Sequence, residues 1–307
     1  MKAMLIHNPR AGQRDRAANM AWVESRLRGA GWELHVCACE SLDRTEEAAR
    51  QAVASGFETL VVAGGDGSLN AAIQSLAHQS AALGVLPVGT ANVWAREMGI
   101  PLNIRAATEV MLGGQVARVD LGRANHRYFL FVASVGFDAG VTREVTPWAK
   151  RRLGMAAYIF AGMAEAFKLR GTEAVIITDN KTHRQRLLML VANNIRLYGG
   201  MIQMTPEAMA DDGLLDLCVF RGQGTLAVAR HVANVLLRRH TRDPEADCLL
   251  ISRVSVDARK PLPVQLDGDY FGTTPVTIRA VPGALRAIVP RGYHPQLRAE
   301  TAAARVP

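Results

Sequence analysis

A buried-strand signal runs directly into a glycine-rich turn near residue 64, and this junction constrains the fold more than any other stretch. Residues 60–70 read L-V-V-A-G-G-D-G-S-L-N, which is an apolar run, three glycines around one carboxylate, and the start of a helical pattern. Glycines at such a junction let the chain turn with positive φ and let backbone amides approach a ligand, and a helix N-terminus favours anions. The segment therefore predicts a strand, turn and helix that bind a phosphate.

Asp66 is the unusual residue in this turn, because a carboxylate would repel a bare phosphate. Beside a phosphate it is more useful if it holds a metal ion, accepts a proton or orients an acceptor hydroxyl. The structural alternative is a tight turn with Asp66 as the N-cap of the following helix. G-G-D-G alone leaves these interpretations open, since a short glycine motif is a weak signal.

Two further loops are expected to lie next to this turn. Residues 8–12 (N-P-R-A-G) follow a predicted strand at Lys2–His7, and residues 88–92 (V-G-T-A-N) follow another at Leu83–Pro87. In a parallel sheet the carboxyl ends of the strands share one edge, where open α/β sheets bind ligands. We therefore expect the three loops to form one ligand-binding rim.

Strands alternate with helices up to about residue 124, and strands dominate afterwards. This change predicts an α/β domain with a doubly wound parallel sheet over 1–124, a mostly β, sandwich-like domain over 125–290, and a tail over 291–307 that is either frayed or packed back on the first domain. The predicted elements of the second part include strands at Tyr128–Val135, Cys248–Asp257, Pro275–Ala280 and Ala284–Val289, and helices at Thr146–Leu169 and Thr225–Arg239.

The composition is that of an ordinary globular protein, with 49% hydrophobic residues among 307. The sequence shows no cleavable signal segment after Met1 and no apolar run of about 20 residues, so we expect a cytoplasmic location. The four cysteines are few and scattered, which favours reduced thiols over a disulfide framework. Cys37 and Cys39 alternate along a predicted strand, so we expect them to pack on one face rather than to bind a metal.

The net charge of +8 and the pI near 9.7 indicate an anionic partner. Nucleic acid is disfavoured, because aromatic residues make up only 6% and do not interleave with a basic segment. Trp148 and the basic residues 150–152 stand at the start of an apolar helical pattern. Such a helix suits an anionic membrane surface, or else it is buried with a solvated basic end, and the sequence leaves both interpretations open.

The three loops, together with motifs farther along the chain, resemble the diacylglycerol kinase catalytic-domain family, which includes sphingosine kinases and bacterial lipid kinases. N-P-x-x-G, G-G-D-G-S-L-N and P-V-G-T-A-N are similar to its nucleotide-binding half. V-D-L-G at 119–122, G-F-D-A at 136–139, D-D-G-L-L-D at 211–216 and L-D-G-D at 266–269 follow in the order of the family. G-G-D-G also occurs in NAD kinases and phosphofructokinases, but the later motifs are more restrictive.

The resemblance implies a kinase that uses ATP and Mg²⁺ to phosphorylate a hydroxyl of a diacylglycerol-like lipid, with its active site in the cleft between the two domains. It implies Asp66 and Asp269 as the catalytic carboxylates, and Asp269 accepts the proton in a position where the family usually has Glu. The implied partners are a lipid substrate and an anionic membrane surface, and oligomerisation stays open. The implied nucleotide-binding residues are Asn8, Gly64, Gly65, Asp66, Gly67, Ser68, Asn70, Thr90 and Asn92.

The resemblance also implies two supporting sites in the second half of the chain. Asp212, with the carbonyl oxygens of Met209 and Leu214, would hold a structural Mg²⁺ through the hard oxygen ligands that this ion prefers. The alternative there is an acidic turn before a strand. Asp120 belongs either to a polar network that leads to the active site or to a strand-end cap. Asp267-Gly268 is in addition a strong type I′ hairpin signal, which is compatible with a catalytic Asp269.

Ala11, Gln13 and Val93 depart from the family pattern, and two other functions stay open, of which the second is encouraged by Asp269 and Gln13. One is a soluble-substrate kinase of the NAD kinase type. The other is a sensor that binds a nucleotide or lipid without catalysis. Turnover of ATP separates the sensor from both kinases.

Overall fold

The computed structural model describes residues 1–8, 16–136, 171–179, 181–198 and 202–293, which form two compact units. The first unit contains the described residues of 1–119, 209–212 and 283–293, and the second those of 120–208 and 213–282. The predicted helix at Thr146–Leu169 lies outside the described residues. Elements are numbered below in chain order over the described part.

The first unit is built on parallel strands in the order β2-β1-β3-β4, and the C-terminal part of β17 adds beside β4. Strands β3 and β4 are buried along their whole length, as expected when helices cover both faces of a parallel sheet. Helix α1 packs against α5 and α2 against α3, which gives the two helical layers of a doubly wound fold. The elements are β1 Lys2–His7, α1 Arg16–Gly29, β2 Glu33–Ala38, α2 Leu42–Ala54, β3 Thr59–Gly64, α3 Asp66–Leu76, β4 Ala82–Pro87, α4 Val93–Glu97 and α5 Ile104–Gly113.

The second unit is mostly antiparallel. Strand β9 pairs with β7, β8 and β12, while β14 pairs with β8 and β17, and apolar side chains such as Leu190, Leu217 and Ile278 fill its core. Together the units confirm the predicted α/β domain followed by a β-rich, sandwich-like one. The elements are β5 Gln115–Ala124, β6 Arg127–Phe129, β7 Val132–Gly136, β8 Thr172–Thr178, β9 Thr182–Asn193, β10 Leu197–Tyr198, β11 Ile202–Gln203, β12 Leu215–Arg221, α6 Gly224–Leu236, a 3₁₀ helix at His240–Arg242, β13 Ala246–Ile251, β14 Arg253–Ala258, β15 Pro263–Leu266, β16 Asp269–Thr273 and β17 Val276–Val289.

Two predicted strands are each divided in the structure, and in both cases an aspartate explains the break. The predicted strand Tyr128–Val135 is interrupted where main-chain amides donate to the carboxylate of Asp267. The predicted strand Cys248–Asp257 is broken at Ser252, whose amide and hydroxyl donate to Asp179 at 2.6 and 2.7 Å. In each case the amides donate to an aspartate from a distant part of the chain and not to a neighbouring strand. The β-propensity of the local sequence cannot predict such a contact.

Three other elements of the structure differ from the prediction. The strands predicted at Pro275–Ala280 and Ala284–Val289 are one strand, β17, which continues through Pro282 and Gly283. Helix α5 was not predicted, although Asn103 marks its start and accepts two amides of the first turn with its side chain. Strand β5 was likewise missed.

The prediction that all four cysteines are reduced thiols is wrong for one pair. The register of β12 and β13 sets Cys218 directly opposite Cys248, and the two form a disulfide. Their separation of 30 residues hid this register in the sequence. Cys37 and Cys39 are free and lie on one face as predicted, with 3.6 Å between their sulfur atoms, and burial raises the pKa of Cys39 to about 12.

Candidate functional site

The loops after β3 and β4 leave neighbouring strand ends, as predicted. In the register of the parallel strands, His7 at the end of β1 lies beside Ala63, and Gly64 at the end of β3 lies beside Pro87. Asn8 therefore continues from the same edge of the sheet, half-buried, while residues 9–15 lie outside the described part. The edge carries the start of α3, and the N-terminus of a helix favours anionic ligands.

Three glycines of these two loops, Gly64, Gly65 and Gly89, stand where a side chain would have little room. A Cβ atom on Gly89 would lie 2.5 Å from the Cα of Gly65, and one on Gly64 would lie 2.6 Å from the Cβ of Ser68. The expected positive φ is wrong, since none of Gly64, Gly65 and Gly67 has one, and Gly65 has a φ of −97°. Space, and not backbone handedness, explains the glycines at 64 and 65, whereas a Cβ atom on Gly67 would meet only the Leu42 side chain at 3.8 Å.

Asp66 joins the two loops. It is the first residue of α3, with Gly65 as the N-cap, so the interpretation of Asp66 as the cap of its own helix is wrong. Its Oδ2 accepts the amide of Val93 at 3.1 Å, and its Oδ1 accepts the amide of Trp94 at 3.2 Å. Asp66 thus caps the neighbouring helix α4, where the side chain of the N-cap residue Asn92 makes no capping bond.

The electrostatics of Asp66 show two opposed effects. Burial raises the pKa of its carboxyl group above the usual range, while the amides of Val93 and Trp94 favour the ionised form and offset part of that rise. A carboxylate that is half desolvated and already fixed by two donors is well oriented for a metal ion or a hydroxyl proton.

Several other predicted nucleotide-binding residues organise the loops themselves. Asn92 is 8% exposed, and its side chain accepts the Gly89 amide at 2.9 Å and donates to the Gly89 carbonyl at 3.0 Å, which closes the second loop. Asn70 is buried within α3, and its carbonyl accepts a bond from the side chain of Gln74. Thr90 is exposed. Direct contact of these residues with a nucleotide stays a prediction.

The L-D-G-D motif forms the hairpin that the sequence predicts. Leu266 pairs with Asp269 across β15 and β16, and the two turn residues have φ values of +51° for Asp267 and +88° for Gly268, as in a type I′ turn. Asp269 is the first residue of β16 and is exposed. Asp66 belongs to the first unit and Asp269 to the second, and their action on one substrate stays a prediction.

The sequence reasoning did not identify the role of Asp267. Its carboxylate accepts three consecutive main-chain amides, those of Leu130 and Phe131 at 2.8 Å and of Val132 at 3.0 Å. An aspartate in a turn often bonds to amides of its own turn, but these donors lie about 135 residues earlier in the chain. This contact fixes the hairpin that presents Asp269.

Replacing Asp267 by alanine is expected to lower the free energy of unfolding by about 3 kcal/mol, because three amides of buried residues lose a charged acceptor. Urea denaturation checks this. Asp267→Asn, which tolerates the left-handed φ, tests the charged acceptor separately from the turn. The exposed Asp257 gives a matched control, and Asp257→Ala should change stability by less than about 0.5 kcal/mol. Equal losses in the two alanine variants would contradict the assigned role.

Asp120 lies inside β5, so the strand-end cap is wrong, and a polar network is present. Asp120 is 2% exposed, and its Oδ2 accepts the amide of Gly213 at 2.6 Å. Its carbonyl accepts Asn194 Nδ2 at 3.0 Å, and the same nitrogen donates to the carbonyl of Leu130 at 3.0 Å. Since the amide of Leu130 donates to Asp267, hydrogen bonds connect the D-D-G-L-L-D turn to the L-D-G-D hairpin.

The residues predicted to hold Mg²⁺ flank the sharp bend at Gly213, which has a φ of +78°. Met209, Asp212 and Leu214 are all half-buried there. One carboxylate and two carbonyl oxygens suit a hard cation, so the donor set fits Mg²⁺. Binding of Mg²⁺ at this bend stays a prediction.

Comparison with known proteins agrees with this geometry. Residues 2–124 match the family model of the diacylglycerol kinase catalytic domain, and residues 131–289 match that of the YegS C-terminal NAD kinase beta sandwich-like domain. The diacylglycerol kinase of Bacillus subtilis is 31% identical over 278 residues, which cover 89% of this chain and 91% of that protein. The diacylglycerol kinase of Staphylococcus saprophyticus is 29% identical, with 89% and 90% covered.

Solved structures show the same fold. The crystal structure of a protein from Bacillus anthracis strain Sterne superposes on this chain with a TM-score of 0.80 at 23% sequence identity. The superposition covers 95% of this chain and 96% of that protein. A diacylglycerol kinase from the same strain gives a TM-score of 0.75 at 21% identity, with 95% and 98% covered.

Proposed function

This chain belongs to the diacylglycerol kinase family, and from that premise we propose that it transfers the γ-phosphate of ATP to a hydroxyl of a diacylglycerol-like lipid. Membership makes it a kinase with an alcohol as acceptor. The observation that carries the proposal is the bridge from Asp66 to Val93 and Trp94, which joins two glycine loops at the N-terminus of a helix. Such a rim suits the phosphates of a nucleotide.

Each part of the proposed reaction has a residue suited to it. The amides at the start of α3 bind phosphate oxygens, and Asp66 keeps the second loop in place beside them. Mg²⁺, when bound, neutralises charge that develops on the phosphoryl group. Asp269 accepts the proton of the lipid hydroxyl, because an exposed carboxylate on a fixed hairpin is positioned to act as a general base. Asp is one methylene shorter than the Glu usual in the family.

One observation favours a second candidate, a kinase for a soluble substrate such as NAD. The family model that matches residues 131–289 is described as NAD kinase-like. The two relatives described above are both named diacylglycerol kinase, and they match about nine-tenths of this chain. For that reason we rank a lipid substrate ahead of a soluble one.

We also propose that the protein works at an anionic membrane surface, since its substrate would reside there and its net charge is +8. Within the described residues, no helix is long and apolar enough to cross a bilayer. The basic segment at Lys150, Arg151 and Arg152, which suggested this partner in the sequence, lies outside the described part.

The test is transfer of label from γ-³²P-labelled ATP, with Mg²⁺, into mixed micelles that contain diacylglycerol, phosphatidylglycerol, sphingosine or ceramide, with NAD in a parallel reaction. A labelled lipid supports the proposal and names the acceptor. Label in NAD alone would favour the second candidate. ATP binding with no transfer to any acceptor would favour the sensor.

A further inference from the structure

Helix α6 is apolar on both faces. Val228, His231 and Val235 are buried against the second unit. On the other side Leu226 is 83% exposed and Leu236 65% exposed. A surface helix normally carries polar residues on its outer face, so these leucines require a separate explanation.

The exposed apolar residues lie on the outer half of the helix. Successive residues of a helix turn by about 100°, so Leu226 and Leu237 project opposite to Val235, Leu236 lies about 80° from Leu226, and Val232 lies about 60° from Val235 at the border of the buried face. We call Leu226, Val232, Leu236 and Leu237 the α6 strip. Leu237, at the C-cap, is 61% exposed and Val232 is 47% exposed. Of the twelve large hydrophobic residues exposed in the described part, four belong to this strip.

The exposed charge along the helix is basic, and the nearest acidic residue in the chain, Asp243, is buried and lies 3.5 Å from Arg230. Residues 222–242 contain four arginines and no aspartate or glutamate. Arg230, Arg238, Arg239 and Arg242 are all exposed, and three of them lie at or beyond the C-terminal end of the helix. An apolar strip with basic neighbours complements the interface of an anionic bilayer.

The helix is held firmly in its position. Asp243, which is 7% exposed, accepts Asn234 Nδ2 at 2.7 Å and the Glu245 amide at 3.0 Å. The same carboxylate lies 3.2 Å from Nδ1 of His231 and 3.5 Å from Nε of Arg230. The α6 strip is therefore presented from a fixed base.

We propose that α6 is a membrane-docking helix, whose leucines enter the boundary between headgroups and acyl chains while its arginines bind anionic headgroups. This rests on the proposed function, since a lipid kinase must reach a substrate held in a bilayer. A second copy of the chain is a poorer occupant, because a two-fold contact through the strip would bring the arginines of both copies together.

Sedimentation with vesicles tests the docking helix. Wild-type protein should bind phosphatidylglycerol-containing vesicles more tightly than vesicles of phosphatidylcholine alone, and added salt should weaken that binding. The variant Leu226→Gln/Leu236→Gln should lose at least about tenfold in partitioning, because two apolar side chains no longer leave water. Leu102→Gln, at a leucine that is 42% exposed in the first unit, is the matched control and should bind like wild type.

The readouts separate this inference from the kinase assignment. If α6 docks, the double variant should lose activity on vesicles but keep activity on a dispersed short-chain diacylglycerol within about twofold. Binding by the double variant equal to that of wild type would overturn the docking helix and leave the kinase assignment intact. A smaller particle mass of the variant in light scattering, with unchanged vesicle binding, would assign the strip to a dimer and also overturn it. No lipid phosphorylation by wild type would overturn the proposed function, and the vesicle binding data would then still decide the docking.

A different observation carries a second inference, a cluster of Cys218, His240 and Cys248. The two sulfur atoms and one ring nitrogen of His240 lie within 4.8 Å of one another. His240 is 1% exposed, and its Nε2 donates to the carbonyl of Met204 at 2.6 Å. Because Nε2 carries the ring proton, Nδ1 is unprotonated and has a free lone pair. This buried nitrogen has no hydrogen-bond partner. Histidines that bind metals are commonly oriented by such a bond to a carbonyl.

We infer that the reduced cluster binds a thiophilic divalent cation such as Zn²⁺, with the disulfide as its oxidised form. A dithiol reductant supplies two electrons and two protons, which break the S–S bond and leave two thiols. The cation then displaces both thiol protons and is held by two thiolates and the Nδ1 lone pair. Cys248 is exposed, so the cation enters from solvent and water completes its coordination.

Equilibrium dialysis against Zn²⁺ after reduction and removal of the reductant tests this site. Wild type should retain one Zn²⁺ per chain and lose it on oxidation, while Cys248→Ser should bind at least about tenfold more weakly. His240→Gln should weaken binding similarly. Cys37→Ser, which breaks the other close thiol pair, should have no effect. Loss of Zn²⁺ in Cys37→Ser with full retention in Cys248→Ser, or no retention by reduced wild type, would overturn the inference.

Discussion

Replacing Asp66 by alanine is expected to lower the rate of phosphoryl transfer by at least about 10²-fold, while the protein stays folded. Without this carboxylate the amides of Val93 and Trp94 lose their acceptor, and the loop that ends at Asn92 is no longer held beside the N-terminus of α3. A shift of about 1 Å in groups that position reactants is enough for a loss of this size. Transfer of label from ATP, beside circular dichroism and thermal melting, measures both parts of the expectation.

Acidification gives an independent check on Asp66. Because burial raises the pKa of this carboxyl group, its ionised form should be lost at a pH above the usual value of about 4. If transfer requires the carboxylate, activity should fall with decreasing pH in that higher range while the protein remains folded. The Asp66→Asn variant has one side-chain oxygen acceptor and no charge, so it should lose activity as Asp66→Ala does. Activity close to wild type in either variant would exclude the mechanism proposed here.

Replacing Asp269 by asparagine is expected to reduce kcat by about 10²- to 10⁴-fold, the usual contribution of a general base. Because Asp269 is exposed at the start of β16, the melting temperature should change little, and the KM for ATP should stay near that of wild type. Steady-state kinetics with a lipid acceptor in mixed micelles check this.

Asp269→Glu is the informative partner of this variant. It restores the residue that the family usually has and extends the carboxylate by one methylene, so it should retain activity. The variant Asp267→Asn, two residues earlier, separates the hairpin from the base, because it should affect stability more than kcat at temperatures where the protein is folded. Full activity of Asp269→Asn would remove Asp269 from the mechanism.

The sequence allowed the layers of both units to be predicted, because hydrophobic periodicity and turns marked by glycine are local signals. It also located the rim at the ends of β3 and β4. The reason for the glycines could not be read from it, since the close contact of Gly65 and Gly89 joins loops that are 24 residues apart. The same holds for Asp66, whose cap on α4 requires knowledge of which loops are neighbours.

Long-range hydrogen bonds account for most of the remaining differences. Asp267 and Asp179 divide two predicted strands by accepting amides from distant segments, and nothing in the local pattern of those strands indicates the contact. The pairing of Cys218 with Cys248 follows from a strand register that the sequence did not specify. Asp269 differs from these residues, because its place beside an Asp-Gly turn followed from the residues alone.

Strand β17 affects how the protein is made in the cell. Arg286 and Ala287 of β17 pair with Ala82 and Leu83, so the sheet of the first unit gains its strand beside β4 from residues that are synthesised about 200 residues after β4. Until then, the nascent first unit has an open, apolar strand edge, a feature that promotes aggregation. A gene fragment that stops after residue 124 would keep this edge permanently, although it encodes a complete match to the catalytic-domain family model.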